Sequence, residues 1–518
     1  MGLFADRVRR ARLVDCQNGS CAPLGEERRS REDPGSLAPS LLVVVLLGAI
    51  ERQRDEVPGY DPPTQEGPEE SLVAEHPHAR LPTEPIDRLV KPLARFLHVE
   101  AASGVVLLAC TLTALLLANS PCAEAYLSLW KTEIGFGVGD FEFRHSLKHL
   151  INDGLMAVFF FVIGLEVKRE LVLGELRELR RAALPIAAAI GGMLFPAALY
   201  LAVEFGGTAR DGWGIPIATD IAFVVGCMAV LGSRVPQSLR VLLLSLAIAD
   251  DIGAILVIAI GYTEELSASW LIAGVAGIAA VLVLRQLGVR RIPVYTLAGM
   301  FIWFAFHESG VHATIAGVIL GLMTPTSTYA SEGIVGEFLR RASEVFEGEG
   351  WRDVPHRAER VRRIQLATRE TIPPLVYLEE TLHPWTSFVI MPVFALANAG
   401  VPVQVSDLGS SIAIAVMLGL VVGKPLGIVV VSWIAVRIGL ARLPQGVGWK
   451  TVLGGGCLAG IGFTMALFIA GLALEGDALD TAKVGILAGS FASAVIGMVL
   501  LLLTLPRQGR SAEKSDSP

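Results

Sequence analysis

Leu244-Ser245-Leu246-Ala247-Ile248-Ala249-Asp250-Asp251-Ile252-Gly253-Ala254-Ile255-Leu256-Val257-Ile258 decides the fold. Two adjacent carboxylates sit in the middle of an apolar run long enough to cross a bilayer, which takes about 20 mostly apolar residues. An acidic residue at the centre of such a helix costs roughly 2.5–3.5 kcal/mol on insertion scales. No solubility argument explains two in a row, and ionisable groups at membrane depth mark functional sites. The composition around them agrees. The chain has 518 residues, 53% hydrophobic and only 18% charged, with a mean hydropathy of +0.56. Soluble domains carry about 25% charged residues. The chain is therefore expected to be an all-α polytopic membrane protein, and nothing in it suggests nucleic acid as a partner.

Working outward from this run gives twelve expected spans, at 98–118, 148–167, 182–204, 213–232, 238–262, 268–286, 293–307, 310–325, 384–402, 409–436, 450–474 and 482–505. The seventh and eighth are short and separated only by His307-Glu308-Ser309. One set of loops carries Lys168, Arg169, Arg177, Arg180, Arg181, Arg234, Arg240, Arg285, Arg290 and Arg291, then eight Arg from Arg340 to Arg369, then Arg437, Arg442 and Lys450. The alternate loops hold little beyond Lys131, Arg144, Lys148, Arg210 and Lys483. The positive set is read as cytoplasmic, and an even span count then puts both termini there. Three parts follow: a disordered cytoplasmic extension over 1–94, rich in Arg, Glu and Pro; a membrane domain over 95–506, with a cytoplasmic loop at 326–383; and a tail over 507–518. The apolar stretch Leu41 to Ile50 is too short to span. Leu339, Val345 and Phe346 suggest a short amphipathic helix in the long loop. The six cysteines show no disulfide or metal-ligand spacing.

Few other charges lie deep in the spans. Asp153 is near the outer end of the second, Asp220 is central in the fourth and Lys424 is central in the tenth. Asp250 and Asp251 point about 100° apart on a helix, so they cannot face one ligand equally. A natural division gives one carboxylate to a cation path and the other to Lys424, the deep cation able to offset its burial. Spans four and eleven are expected to be discontinuous. Gly214-Ile215-Pro216-Ile217-Ala218-Thr219-Asp220 breaks one, and Gly454-Gly455-Gly456 followed by Gly460-Ile461-Gly462-Phe463-Thr464 breaks the other. Non-helical backbone at membrane depth is tolerated only where it is buried in protein or lines a cavity. Span four runs inward and span eleven outward, so spans 3–5 and 10–12 read as an inverted repeat, a transporter arrangement with its binding site at the broken helices.

From about residue 95 to 505 the chain closely resembles the bacterial NhaA sodium/proton antiporters. The resemblance rests on six stretches that follow one another in order. They are Asn152-Asp153-Gly154-Leu155-Met156-Ala157-Val158-Phe159-Phe160 with Gly164-Leu165-Glu166-Val167-Lys168-Arg169-Glu170; Ala218-Thr219-Asp220-Ile221-Ala222-Phe223; Leu246 to Ala254; Ser309-Gly310-Val311-His312-Ala313-Thr314; Gly423-Lys424-Pro425-Leu426-Gly427; and Gly460-Ile461-Gly462-Phe463-Thr464-Met465. The resemblance implies that Asp251 is the main sodium ligand and that Asp250 partners Lys424. Asp220 and Thr219 would compensate the facing helix ends of the unwound assembly around Gly460, Gly462 and Thr464. Asp153 would be a carboxylate needed for full activity. Glu166, Lys168, Arg169, Glu170, Glu379 and His383 match positions near a cytoplasmic pH-sensing cluster, and His312 matches a histidine tied to pH response. The chain departs from shorter members in its N-terminal extension, in the 326–383 loop and in Glu380, which stands where a histidine is expected beside Glu379.

The implied activity is electrogenic export of Na⁺ or Li⁺ in exchange for protons by alternating access, stronger at alkaline pH and serving intracellular pH and sodium control. The implied location is the bacterial inner membrane. No cofactor and no enzymatic step are expected, and a homodimer is left open. The residues themselves explain the coupling. Na⁺ prefers oxygen ligands, as other hard cations do. Desolvation disfavours an ionised carboxylate, whereas a bound cation or a lysine favours it. Protons and Na⁺ therefore compete for the same groups, and the adjacent pair titrates as a unit. Other readings fit less well. An intramembrane aspartic protease needs its carboxylates on facing helices, a symporter for an organic anion needs a larger polar pocket, and a channel does not need an inverted repeat.

Overall fold

The computed structural model describes residues 100–138, 141–262, 266–328, 362 and 372–505. The expected extension over 1–94, most of the 326–383 loop with its amphipathic helix, and the tail over 507–518 lie outside the described residues. In chain order the helices are α1 (Glu100–Ala118), α2 (Ala123–Lys131), α3 (Leu147–Val172), α4 (Leu179–Val203), α5 (Ile221–Leu231), α6 (Gln237–Gly261) and α7 (Ala268–Gln286). They continue as α8 (Ile292–His307), α9 (Thr314–Met323), α10 (374–398), α11 (Ser411–Arg437), α12 (Trp449–Ala459), α13 (Phe463–Ala473) and α14 (Gly476–Thr504).

Every stretch expected to span is helical over most of its length. In lipid a helix satisfies its own backbone groups, so long apolar runs have little alternative. Among the described residues, seven helices are long and apolar enough to cross a membrane. The number rises to nine if each of two bent pairs counts as one crossing: α1 with α2, bent by 113°, and α12 with α13, bent by 50°. The helices α8 and α9 are apolar but shorter. The outer faces are apolar as well. Leu116, Val230, Ile272, Leu297, Phe491 and Leu503 are all exposed. Apolar side chains at such density on the outside of a protein mark a surface whose solvent is lipid. The chain is a multi-pass membrane protein.

Two features differ from the sequence reading. A β-hairpin interrupts the all-α class: β1 (Glu133–Val138) pairs antiparallel with β2 (Phe141–Ser146), with Glu133 opposite Ser146 and Ile134 opposite His145. The helix α10 begins about ten residues before the expected span at 384, inside what reads as loop. The helices α8 and α9 are separate, as the sequence reading has them. The chain turns between them at Gly310, whose φ of +81° suits a residue without a Cβ.

Caps and glycines set the geometry that matters below. The Ser146 hydroxyl accepts from His149 N at 3.2 Å and starts α3. The helices α3, α10 and α11 each contain a wide π turn, at Ile151–Leu155, Thr386–Ile390 and Gly419–Gly423. Such turns recur at functional sites, and the third ends directly before Lys424. Gly191 of α4 and Gly427 of α11 meet backbone to backbone, and a Cβ on either would overlap the other's carbonyl. That contact brings α4 and α11 together over much of their length.

Candidate functional site

Asp250 and Asp251 are successive residues of α6, both buried, and they diverge as their helical spacing requires. Asp250 turns to α11, where its Oδ2 lies 2.6 Å from Lys424 Nζ. Both residues are only 1% exposed, so this is an ion pair without solvent. The Thr219 hydroxyl lies 2.6 Å from the same Asp250 oxygen and 3.0 Å from Ala459 O. Its single proton serves one acceptor at a time.

Asp251 faces the other way, into a cavity of about 910 Å³. Thr219, Asp220, Thr464 and Ser245 also line this space. Its walls continue along α3 past Ile163 and Glu166 to Arg169 and Glu170, and then to Arg177 and Arg181 beyond the helix. Glu379 and His383 of α10 contribute from the opposite side. The cavity thus leads from Asp251 to the Arg-rich end of the bundle.

The chain leaves helical geometry at 218–220, between a 3₁₀ segment (Arg210–Ile217) and α5, and again at 460–462, between α12 and α13. The two breaks touch. Asp220 N donates to Ile461 O at 2.6 Å. A Cβ on Gly462 would lie 2.8 Å from Ala218 O, so the approach requires glycine. Four helix ends therefore converge, and each meets a polar partner. Helix N-termini carry partial positive charge and C-termini partial negative charge. Asp220 serves both N-termini: its Oδ1 accepts from Phe223 N in α5 at 3.4 Å, and its Oδ2 accepts from Thr464 N in α13 at 3.0 Å and from the Thr464 hydroxyl. Lys424 Nζ donates to Ile217 O at the end of the 3₁₀ segment. Thr219 reaches Ala459 O at the end of α12.

Thr464→Val isolates one of these bonds, because it keeps the backbone N–H and the side-chain volume but removes the hydroxyl donor. Loss of a hydrogen bond to a charged acceptor costs about 1.5–3 kcal/mol. A lower melting temperature in detergent is the expected result. An unchanged one would show that backbone N–H groups suffice to hold Asp220.

The structure brings together most of the residues singled out in the sequence, though not all. Arg169 Nη1 pairs with Glu379 Oε1 at 2.6 Å at the cavity rim. Glu170 Oε1 accepts from Glu175 N at 3.1 Å and from Ser245 Oγ at 3.3 Å, which ties α3 to α6. Lys168 stands apart from this group. It is buried on the far side of α3 and donates to Leu322 O of α9 at 2.7 Å. His312 is half-buried between α8 and α9 and does not line the cavity. Asp153 lies toward the other end of α3, where its Oδ2 is 3.2 Å from His149 Nε2 and 3.4 Å from His307 Nδ1. Beside it His145 is held below the ordinary imidazole range, first by burial and then by the neighbouring His149 and His307.

Sequence reasoning missed some partners. Asn152 and Asn398 pair side chain to side chain, with Asn398 Nδ2 donating to Asn152 Oδ1 at 2.7 Å. Both interrupt apolar runs, which is a usable signal. The carbonyls of Ile217, Ala459 and Ile461 were not predictable from residue identity, because every residue carries a carbonyl.

Comparison with known proteins gives the family. A family profile described as Na+/H+ antiporter 1 matches residues 94–501. The chain is 60% identical over 430 residues to the Na(+)/H(+) antiporter NhaA of Rhodopirellula baltica, covering 83% of this chain and 98% of that protein. It is 51% identical over 432 residues to the Na(+)/H(+) antiporter NhaA of Rhizobium meliloti, covering 83% and 99%. With the Na(+)/H(+) antiporter NhaA 2 of Acidiphilium cryptum it shares 50% identity over 427 residues, 82% of this chain and 95% of the relative.

Proposed function

The chain belongs to the Na+/H+ antiporter 1 family, and from that membership we propose that it exports Na⁺ in exchange for protons by alternating access, using Asp251 as the principal ligand. The family is one of transporters, and the reading needs no cofactor. Na⁺, Li⁺ and H⁺ are the transported ions. One observation carries the proposal: Asp251 opens onto a cavity that Thr219, Asp220 and Thr464 also line, while Asp250 is turned away into an ion pair with Lys424.

The arrangement supports exchange for a physical reason. Asp251 supplies a charged oxygen, and Thr219, Asp220 and Thr464 line the same space with further oxygens. Hard alkali cations take oxygen ligands, as calcium and magnesium do. The same carboxylate binds a proton when no cation is present, so the two ions exclude one another. Access from alternate sides then couples their fluxes. The Asp250–Lys424 pair gives a second place for a proton. Two protons per sodium would move net charge and make the exchange electrogenic. Arg169, Glu170, Glu379 and His383 at the mouth of the cavity place titratable groups where an alkaline activation would be sensed. With the Arg-rich end cytoplasmic, the cavity faces inward, both termini are cytoplasmic and the membrane is the bacterial inner one. On this reading α1 to α14 make twelve crossings. Two of them are discontinuous at 218–220 and 460–462 and cross within an inverted repeat of spans 3–5 and 10–12.

A pH-dye assay in everted vesicles, with Na⁺, Li⁺ and K⁺ added in turn, tests the function. Na⁺ and Li⁺ are expected to release the imposed acidification, more strongly as pH rises, whereas K⁺ leaves it in place. A response to K⁺ equal to that for Na⁺, or none to Na⁺, would overturn the reading.

A further inference from the structure

Nine histidines occur in the chain, and three of them, His145, His149 and His307, meet at one point, which makes a chance cluster a poor explanation. They come from separate elements: β2, the first turns of α3, and the last residue of α8. Their ligand nitrogens all lie within 4.8 Å of one another. The His145 ring stacks on His149 with centroids 4.5 Å apart, and His307 stands edge-on to His145 at 5.2 Å.

Asp153 adjoins the group. It lies one turn beyond His149 on α3, with its Oδ2 3.2 Å from His149 Nε2 and 3.4 Å from His307 Nδ1. In a tetrahedral site with metal–ligand bonds of about 2.0–2.1 Å, neighbouring ligand atoms are about 3.3 Å apart. The carboxylate therefore already stands at ligand spacing from two of the three imidazoles. Surrounding groups hold the set in place. Trp303 lies flat on His307, with centroids 5.7 Å apart and planes 7° apart, and its Nε1 donates to Asp153 O at 3.1 Å. Such outer contacts fix ligand orientation. Glu308 lies within electrostatic reach of His145 and adds negative charge.

We propose that His145, His149, His307 and Asp153 form a binding site for a divalent transition-metal ion of the zinc class, separate from the Asp251 cavity. Three imidazoles and one carboxylate suit Zn²⁺, Co²⁺, Ni²⁺ or Cu²⁺, whereas Ca²⁺, Mg²⁺ and alkali ions prefer all-oxygen sets. The site is set apart from the cavity. Phe159, the cavity-lining residue of α3 nearest in sequence to Asp153, is six residues along the helix, about 9 Å at 1.5 Å per residue. A bound ion would tie the hairpin to α3 and α8 at that end of the bundle.

The test uses the full-length protein, purified without a histidine tag and stripped with chelator. Zn²⁺ alone is titrated calorimetrically, and Co²⁺ is added separately as an optical probe. One Zn²⁺ per chain is expected, with a four-coordinate Co²⁺ spectrum lacking thiolate bands. Affinity should fall at least ~10-fold, the loss that even outer partners of a metal produce, in each of His149→Asn and His307→Gln. His145→Asn, on the hairpin, provides a third variant that leaves both helices intact. Each variant is compared with wild type by metal-free melting temperature, so that loss of a ligand is separated from loss of the fold. Zn²⁺ binding that persists unchanged in the triple variant would mean an adventitious ion only and overturn the site. Absence of stoichiometric binding to wild type would overturn it too. Retained Na⁺-dependent proton release in the His149→Asn variant is expected and places the metal outside the transport path.

Discussion

Asp251→Asn is expected to reduce Na⁺-dependent proton release in everted vesicles to the level of vesicles without the protein. The substitution is nearly isosteric, so the walls of the cavity keep their shape. It removes two properties together. An amide carries no charge to offset the dehydration of Na⁺, and it does not take up a proton near neutral pH. Neither half of the exchange then has its group. Asp250 cannot substitute, because its Oδ2 is committed to Lys424 and Thr219 and its residue does not line the cavity. The protein should still insert and melt near the wild-type temperature. Normal exchange by this variant would remove Asp251 from the ion path and return the question to Asp220.

Lys424→Ala carries the second large effect, and it acts on stability. Breaking a buried ion pair from one side costs about 3–5 kcal/mol, because the remaining charge stays in a poor solvent. Here the loss is compounded, since Nζ also meets the carbonyl of Ile217 at a helix end. A clearly lower melting temperature and impaired transport are expected. Adding Asp250→Asn to the same chain should recover much of the melting temperature, since no unpaired charge is then left. A Lys424→Ala protein with wild-type stability and transport would sink the pairing. A double variant no better than the single one would instead assign the effect to the Ile217 carbonyl.

The course of the helices was largely legible in the sequence, because lipid allows a long apolar run few structures other than a helix. Asp250, Asp251, Asp220 and Lys424 were legible for the converse reason, since charges at that depth need a purpose. The breaks at 218–220 and 460–462 followed from proline and glycine in runs that should otherwise be uniform. What escaped notice was tertiary or weakly coded. The strands of the hairpin are six residues each, too short to stand out beside 25-residue helices. The start of α10 looks like loop because Pro373-Pro374 stands at it and charged residues follow. Lys168 shares a motif with Arg169 and Glu170, yet helical rotation sends it to the opposite side of α3. His149 and His307 are far apart in sequence and reveal their relation only when α3 and α8 are side by side.

The meeting of Gly191 and Gly427 has a mechanical consequence. With carbonyl against α-carbon and no side chain between them, α4 and α11 have no clearance in which to slide. The two helices form one stiff beam, and Lys424 is fixed to it by its own backbone. Asp250 belongs to a different member, α6. Were Asp250 to lose its charge, the tie between α6 and that beam would weaken at a single oxygen.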